Sequence, residues 1–259
     1  MVALALEVDA NLGSMTNDCF WPGLVLALVG TGCAGIGGAR SSRAVEAPDV
    51  PRPDREWSVG FVLVDGVYNT ELTAPLDILH HSVFHADPAM RVFTVAPSLD
   101  PVTSFEGLRI LPDHTFADAP PIDVLVVPSG EHSMDSDLDD DELIGFVRDR
   151  GAAAHYVVSL CDGAFVLAQA GLLDGLEVTT FPSDRDGLAA MFPDLTVAYD
   201  VRFVHDGKAI TSVGGAPSFE PALYLAELLY GKRAADGMAA GLVIDWDLAS
   251  VPHRIVHQP

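Results

Sequence analysis

Only two lysines, Lys208 and Lys232, occur in 259 residues, and 14 basic side chains stand against 37 acidic ones, a formal net charge of −23. Phosphate backbones are held by clustered Lys and Arg, and no such cluster occurs, so nucleic acid is excluded as a partner. Cysteine is nearly as scarce, with Cys19, Cys33 and Cys161 alone. The first two lie in an N-terminal stretch that reads as a leader. Processing there would leave one thiol and no disulfide within the chain. Long apolar runs are missing too. The segment WPGLVLALVGTGCAGIGG (21–38) has an apolar centre of about ten residues, too short to span a bilayer. No His or Cys group has metal-ligand spacing, and neither a metal nor another cofactor is expected.

The acidic excess is spread along the chain, as adaptation to high salt would produce, because surplus surface charge keeps a protein soluble when charges are screened. One dense run, DSDLDDDE (135–142), reads as a solvated acidic face. A calcium loop would need the internal Gly and terminal Glu that this run lacks.

Residues 1–38 resemble a secretion signal, with Cys33 at the position of a lipidated cysteine and followed by small residues. Gly30 stands where such signals have Leu or Val, no Lys or Arg precedes the apolar segment, and Met15 would give a signal of ordinary length. The expected address is the cell envelope, with membrane contact only through a lipid anchor. The alternative is an ill-defined leader on a cytoplasmic protein. Residues 39–57, rich in Ser, Arg and Pro, read as a flexible linker.

From Trp57 onward strand and helix patterns alternate. Strands are expected in WSVGFVLVDG, RVFTVAP, IDVLVVPSG, HYVVSL and LEVTTFPSD, with a hairpin in 195–215 turning at His205-Asp206-Gly207. Helices are expected over 71–84, 140–151, after Cys161, up to Met191, and over 218–231. Repeated β-α units with apolar strands predict an α/β fold, a flavodoxin-like three-layer sandwich whose mostly parallel sheet carries helices on both faces. Residues 58–235 form that domain, and 236–259 form an extension packing on it or on a partner.

Sites in such sheets lie beyond the carboxyl ends of the strands, which puts the loops at Glu71, Gly130 and Cys161 on one edge. Cys161, in SLCDGAFVLAQAGLLDG (159–175), sits at a strand-to-helix turn, where free amides favour a thiolate. The amide of Asp162 and those of Ser129 and Gly130 could stabilise an oxyanion there. Glu71 would supply a carboxyl to the sulfur as hydrogen-bond donor or proton shuttle. Each has a plainer reading: a buried structural cysteine, a turn, and a helix-start acid.

The segments VGFVLVDG with ELTAPLDIL, DVLVVPSG, SLCDGAFVLAQAGLLDG with VTTFP, and ITSVGGAPSFEPALYLAELLYG resemble the ThiJ/PfpI superfamily, across roughly 58–231. Within it the chain resembles the isonitrile-hydratase-like group. The resemblance implies Cys161 as nucleophile on a sharp elbow, Glu71 as its acidic partner, Gly130 and Asp162 as oxyanion donors, a small-molecule substrate and a homodimer. Two departures matter. Where many members have Thr-Thr-His, this chain has Thr179-Thr180-Phe181, which removes a base. Asp162 would either raise the thiol pKa or turn away as a helix N-cap, and the cap is the expectation. Among the histidines His80, His81, His85 and His132, only His132 lies at the site edge, as a candidate accessory group. The function implied is a Cys-Glu hydratase or hydrolase of a small electrophile. The alternative is a redox-sensing or ligand-binding domain without turnover.

Overall fold

The computed structural model describes residues 56–256; the leader, Cys33 and nearly all of the linker lie outside them. In chain order the elements are β1 (Ser58–Val62), α1 (Asn69–His80), α2 (Ser82–His85), β2 (Arg91–Ala96), β3 (Val102–Thr103), β4 (Arg109–Ile110), β5 (His114–Thr115) and β6 (Val124–Val127). There follow α3 (Asp141–Ala153), β7 (Tyr156–Leu160), α4 (Gly163–Gln169), β8 (Glu177–Val178), α5 (Arg185–Met191) and β9 (Thr196–Val197). The last are β10 (Phe203–Asp206), β11 (Ala209–Ser212), α6 (Phe219–Tyr230), α7 (Lys232–Gly241) and β12 (His253–Val256).

Eight strands form one sheet in the order β12-β10-β11-β7-β6-β1-β2-β5. Pairing is parallel throughout except between β10 and β11. The central strands read as unbroken apolar runs because both faces are covered. Alternation then sends successive residues to opposite cores. Val124 and Val126 join Val158, Leu160 and the α1, α6 and α7 side chains, whereas Leu125 and Val127 join Val157 and those of α3, α4 and α5. The expected α/β sandwich with a mostly parallel sheet is the observed fold.

Differences have local causes. The hairpin pairs Asp206 with Ala209, so its turn is Gly207-Lys208, later than expected, with Gly207 supplying a φ of 60°. The strand expected at LEVTTFPSD leaves the main sheet. Only Glu177 and Val178 pair, with β9. The Thr179 amide then donates to Thr211 Oγ1 (2.9 Å) rather than to a neighbouring backbone. The extension supplies the end of α7 and an edge strand, β12, in parallel register with β10. The acidic run is divided among local caps. Asp140 accepts from the Glu142 and Leu143 amides (2.9 and 3.0 Å) at the start of α3, and Asp135 accepts from the Ser136 amide.

Candidate active site

β7 ends at Leu160, and the chain must reverse at once to start α4. Cys161 makes that reversal with a φ of 51°, a left-handed conformation that strains any residue with a Cβ. The elbow can press against the end of β6 only because Gly163 has no side chain: a Cβ there would lie 2.1 Å from the Val127 carbonyl oxygen. The Cys161 amide donates to the Ser212 carbonyl (3.0 Å), which fixes the elbow to β11.

Glu71 arrives from the first turn of α1 and is 4 % exposed. Its Oε2 accepts from the Ser129 amide (3.2 Å) and its Oε1 from the Gly215 amide (3.0 Å). The carboxyl and the Asp162 amide both hydrogen-bond the Cys161 sulfur. Pro75, four residues on, has no amide to give the Glu71 carbonyl, so the helix is loosened at this residue. Gly214 closes the group: a Cβ there would lie 2.3 Å from Cys161 Cβ and 2.7 Å from Glu71 Oε1. The sequence reading missed Gly214 and Gly215, whose only signal was the paired glycine after a strand.

Asp162 corrects an expectation. It makes no cap bond to α4. Its Oδ2 lies 3.6 Å from Cys161 Sγ, and its Oδ1 accepts from Thr180 Oγ1 at 2.8 Å. Thr180 Oγ1 is also 2.9 Å from the Cys161 carbonyl. The anchored hydroxyl, fully buried, draws the carboxyl inward in place of the cap. Phe181, where a histidine was absent, turns outward and is 42 % exposed.

Gly130 is a second correction. Its amide donates to Ser133 Oγ (2.8 Å) and the Ser129 amide to Glu71, so both loop donors are engaged. The Asp162 amide, on the sulfur, is the site's helix-start donor. His132 is half-exposed, 3.4 Å from Asp135, and lines a separate cleft with Asp65, Asp137 and Asp140. Among the described residues, no group of His, Cys, Asp or Glu is arranged to hold a metal ion, and no helix is long and apolar enough to cross a membrane.

Three acids within one buried pocket cannot all ionise. Burial, then the charges of Glu71 and Asp162, push the Cys161 thiol well above its ordinary range. Burial likewise raises Glu71. Asp162 is pushed up to about 6, first by burial and also by the neighbouring Asp184. The resting sulfur is therefore a thiol. Beside the site, a cavity of about 490 Å³ opens between Phe181, Tyr199, Val213, Pro217 and the two glycines.

The chain thus combines a mostly parallel sheet with a strained cysteine elbow and a buried carboxyl at the sheet's carboxyl edge. The sequence profile of the DJ-1/PfpI family matches residues 57–227, and the chain belongs to that family. It is similar to the isonitrile hydratase of Pseudomonas putida, with 36 % identity over 178 residues, 68 % of this chain and 74 % of that one. It is 28 % identical to the Parkinson disease protein 7 homolog of Danio rerio over 186 residues, 71 % of this chain and 95 % of that one. Among solved structures, a ThiJ/PfpI family protein from Pseudomonas syringae superposes with a TM-score of 0.67 at 29 % identity, covering 81 % of this chain and 84 % of that one.

Proposed function

We propose that the protein is a hydratase that adds water to a small electrophilic carbon of the isonitrile type, with Cys161 as nucleophile. The observation that carries this reading is the elbow itself: a φ of 51° aims a sulfur that hydrogen-bonds both the Glu71 carboxyl and the Asp162 amide. Similarity to an isonitrile hydratase supports the choice of substrate.

In this mechanism the Cys161 S–H adds across the terminal carbon of R–N≡C. The S–C bond forms, Glu71 gives its proton to the carbon and the thiol gives up its own to a carboxylate of the pocket. The product is a thioimidate, R–N=CH–S–Cys161. Water then adds across C=N, oxygen to carbon and a proton to nitrogen. The tetrahedral adduct breaks its C–S bond, and the hydroxyl proton leaves as sulfur regains one. R–NH–CHO and the free thiol remain. Burial raises Glu71, which favours its carboxyl as the acid for the first step.

The test is formamide production from a panel of alkyl and aryl isonitriles by the full chain, followed by mass spectrometry. Wild type should form the N-substituted formamide and Cys161→Ser should not. No product above buffer from wild type, or equal product from both, overturns the reading.

A further inference from the structure

A nucleophilic thiol that rests protonated needs somewhere to put its proton, and the histidine that could take it is replaced by Phe181. We infer that Asp162 is that acceptor, the catalytic base that takes the Cys161 proton as the sulfur attacks. This deepens the reading above and rests on Cys161 being the nucleophile.

Geometry carries the assignment. Asp162 Oδ2 is 3.6 Å from Sγ, within hydrogen-bonding distance for sulfur, and the carboxyl is 8 % exposed. Its other oxygen is pinned by Thr180 Oγ1 at 2.8 Å, so the group is turned toward the sulfur and away from the amides of α4. The Thr179-Thr180 segment thus delivers a hydroxyl to Asp162.

The charge balance favours the transfer. Moving the proton from Sγ to Asp162 leaves the net charge of the pocket unchanged, whereas losing it to solvent would add a buried negative charge. The groups facing Asp162 are Cys161 beside it, Tyr68 and Glu71 from the start of α1, and Asp184 ahead of α5. Asp184 hydrogen-bonds Asp162 and, with burial, lifts it to about 6, close to the value of about 6.5 for a free histidine. The two carboxyls then divide the work. Glu71 gives its proton to the substrate carbon while Asp162 takes that of the thiol. On collapse of the tetrahedral adduct the sulfur recovers its proton from Asp162, and Glu71 recovers one from the hydroxyl.

The experiment is the rate of Cys161 alkylation by iodoacetamide against pH, on the full chain, with the alkylated residue located by peptide mass spectrometry. A proton-accepting neighbour makes the thiolate population independent of pH above the acceptor's own titration. Wild type should rise to a lower edge near pH 6 and then stay level within about threefold to pH 8.5. Asp162→Asn should climb about tenfold per unit through the same range. Asp184→Asn, which leaves the sulfur's contacts intact, should move the lower edge to more acidic pH. A wild type that climbs as Asp162→Asn does, or an edge that Asp184→Asn leaves in place, overturns the assignment. Alkylation needs no isonitrile, so a plateau without formamide defeats only the hydratase reading. Formamide without a plateau defeats only the role of Asp162.

Discussion

Replacing Gly214 by Ala tests whether the site depends on the missing side chain at that position. The new Cβ would lie 2.3 Å from Cys161 Cβ, 2.7 Å from the Cys161 nitrogen and 2.7 Å from Glu71 Oε1. The nitrogen cannot retreat without giving up its 3.0 Å bond to Ser212. The carboxyl can retreat only by releasing the Gly215 amide. Left-handed backbone at a φ of 70° costs an alanine about 1–2 kcal/mol, and overpacking adds about 1–3 kcal/mol. The sum of roughly 2–5 kcal/mol should lower the Tm by about 5–15 °C for a domain of this size. Gly215→Ala is the control. It shares the positive φ, but its new Cβ meets nothing closer than Pro217 Cδ at 3.9 Å. Both variants carry backbone strain, Gly215 at a φ of 60° and ψ of −148°. Only Gly214→Ala adds overpacking against Cys161 and Glu71, so it alone should change the alkylation rate of Cys161. Equal alkylation in the two variants would refute the argument.

Glu71→Gln retains one acceptor, but its NH2 must face the Ser129 or the Gly215 amide, two donors together. This should cost about 1–3 kcal/mol in urea unfolding and lower formamide formation by about 100-fold or more; retention of both would contradict the assigned contacts. Asp162 sets a pH dependence of stability. Its folded value, about 6, lies above the ordinary 3.8, so the stabilisation from keeping it protonated is complete below about pH 4 and is lost as pH rises through 6. Asp162→Asn stays neutral and should be roughly 2–3 kcal/mol more stable than wild type at pH 8. The difference should vanish near pH 4. Urea titrations at both values check this, and a variant no more stable at pH 8 would count against a strained carboxyl.

Glu71, Ser129 and Cys161 were legible in the sequence because strand-end loops of a parallel sheet converge on one edge, and apolar strands with their helices mark those ends. The direction of Asp162 was not legible. A helix-start Asp caps its own helix by default, and the hydroxyl that overrides this comes from Thr180, 18 residues on. Nothing in the spacing of CDG and TTF announces that pair. Gly214 was not legible either, because its requirement is a close approach to Cys161, a contact across strands. The strand expected in LEVTTFPSD pairs only at Glu177 and Val178, because Thr179 uses its backbone amide on a side chain and breaks the ladder. β12, four residues at the sheet edge, has too little alternation to stand out from a tail.

The charge of the site also discriminates between catalysis and redox sensing, which both use Cys161. Peroxide reacts with the thiolate, and burial with two carboxylates holds this sulfur as a thiol. A sulfinate would place a further anion between Glu71 and Asp162, and the fully engaged Gly130 and Ser129 amides offer it no new donor. Hydrogen peroxide at pH 7 should therefore oxidise Cys161 of wild type slowly, and Asp162→Asn, which removes one negative neighbour, should oxidise faster. Intact-mass measurement of the +32 Da sulfinate over time reads both rates. Rapid sulfinate formation in wild type, unchanged by Asp162→Asn, would mean that the acidic surroundings do not govern the sulfur, and the sensing role would then take precedence over hydration.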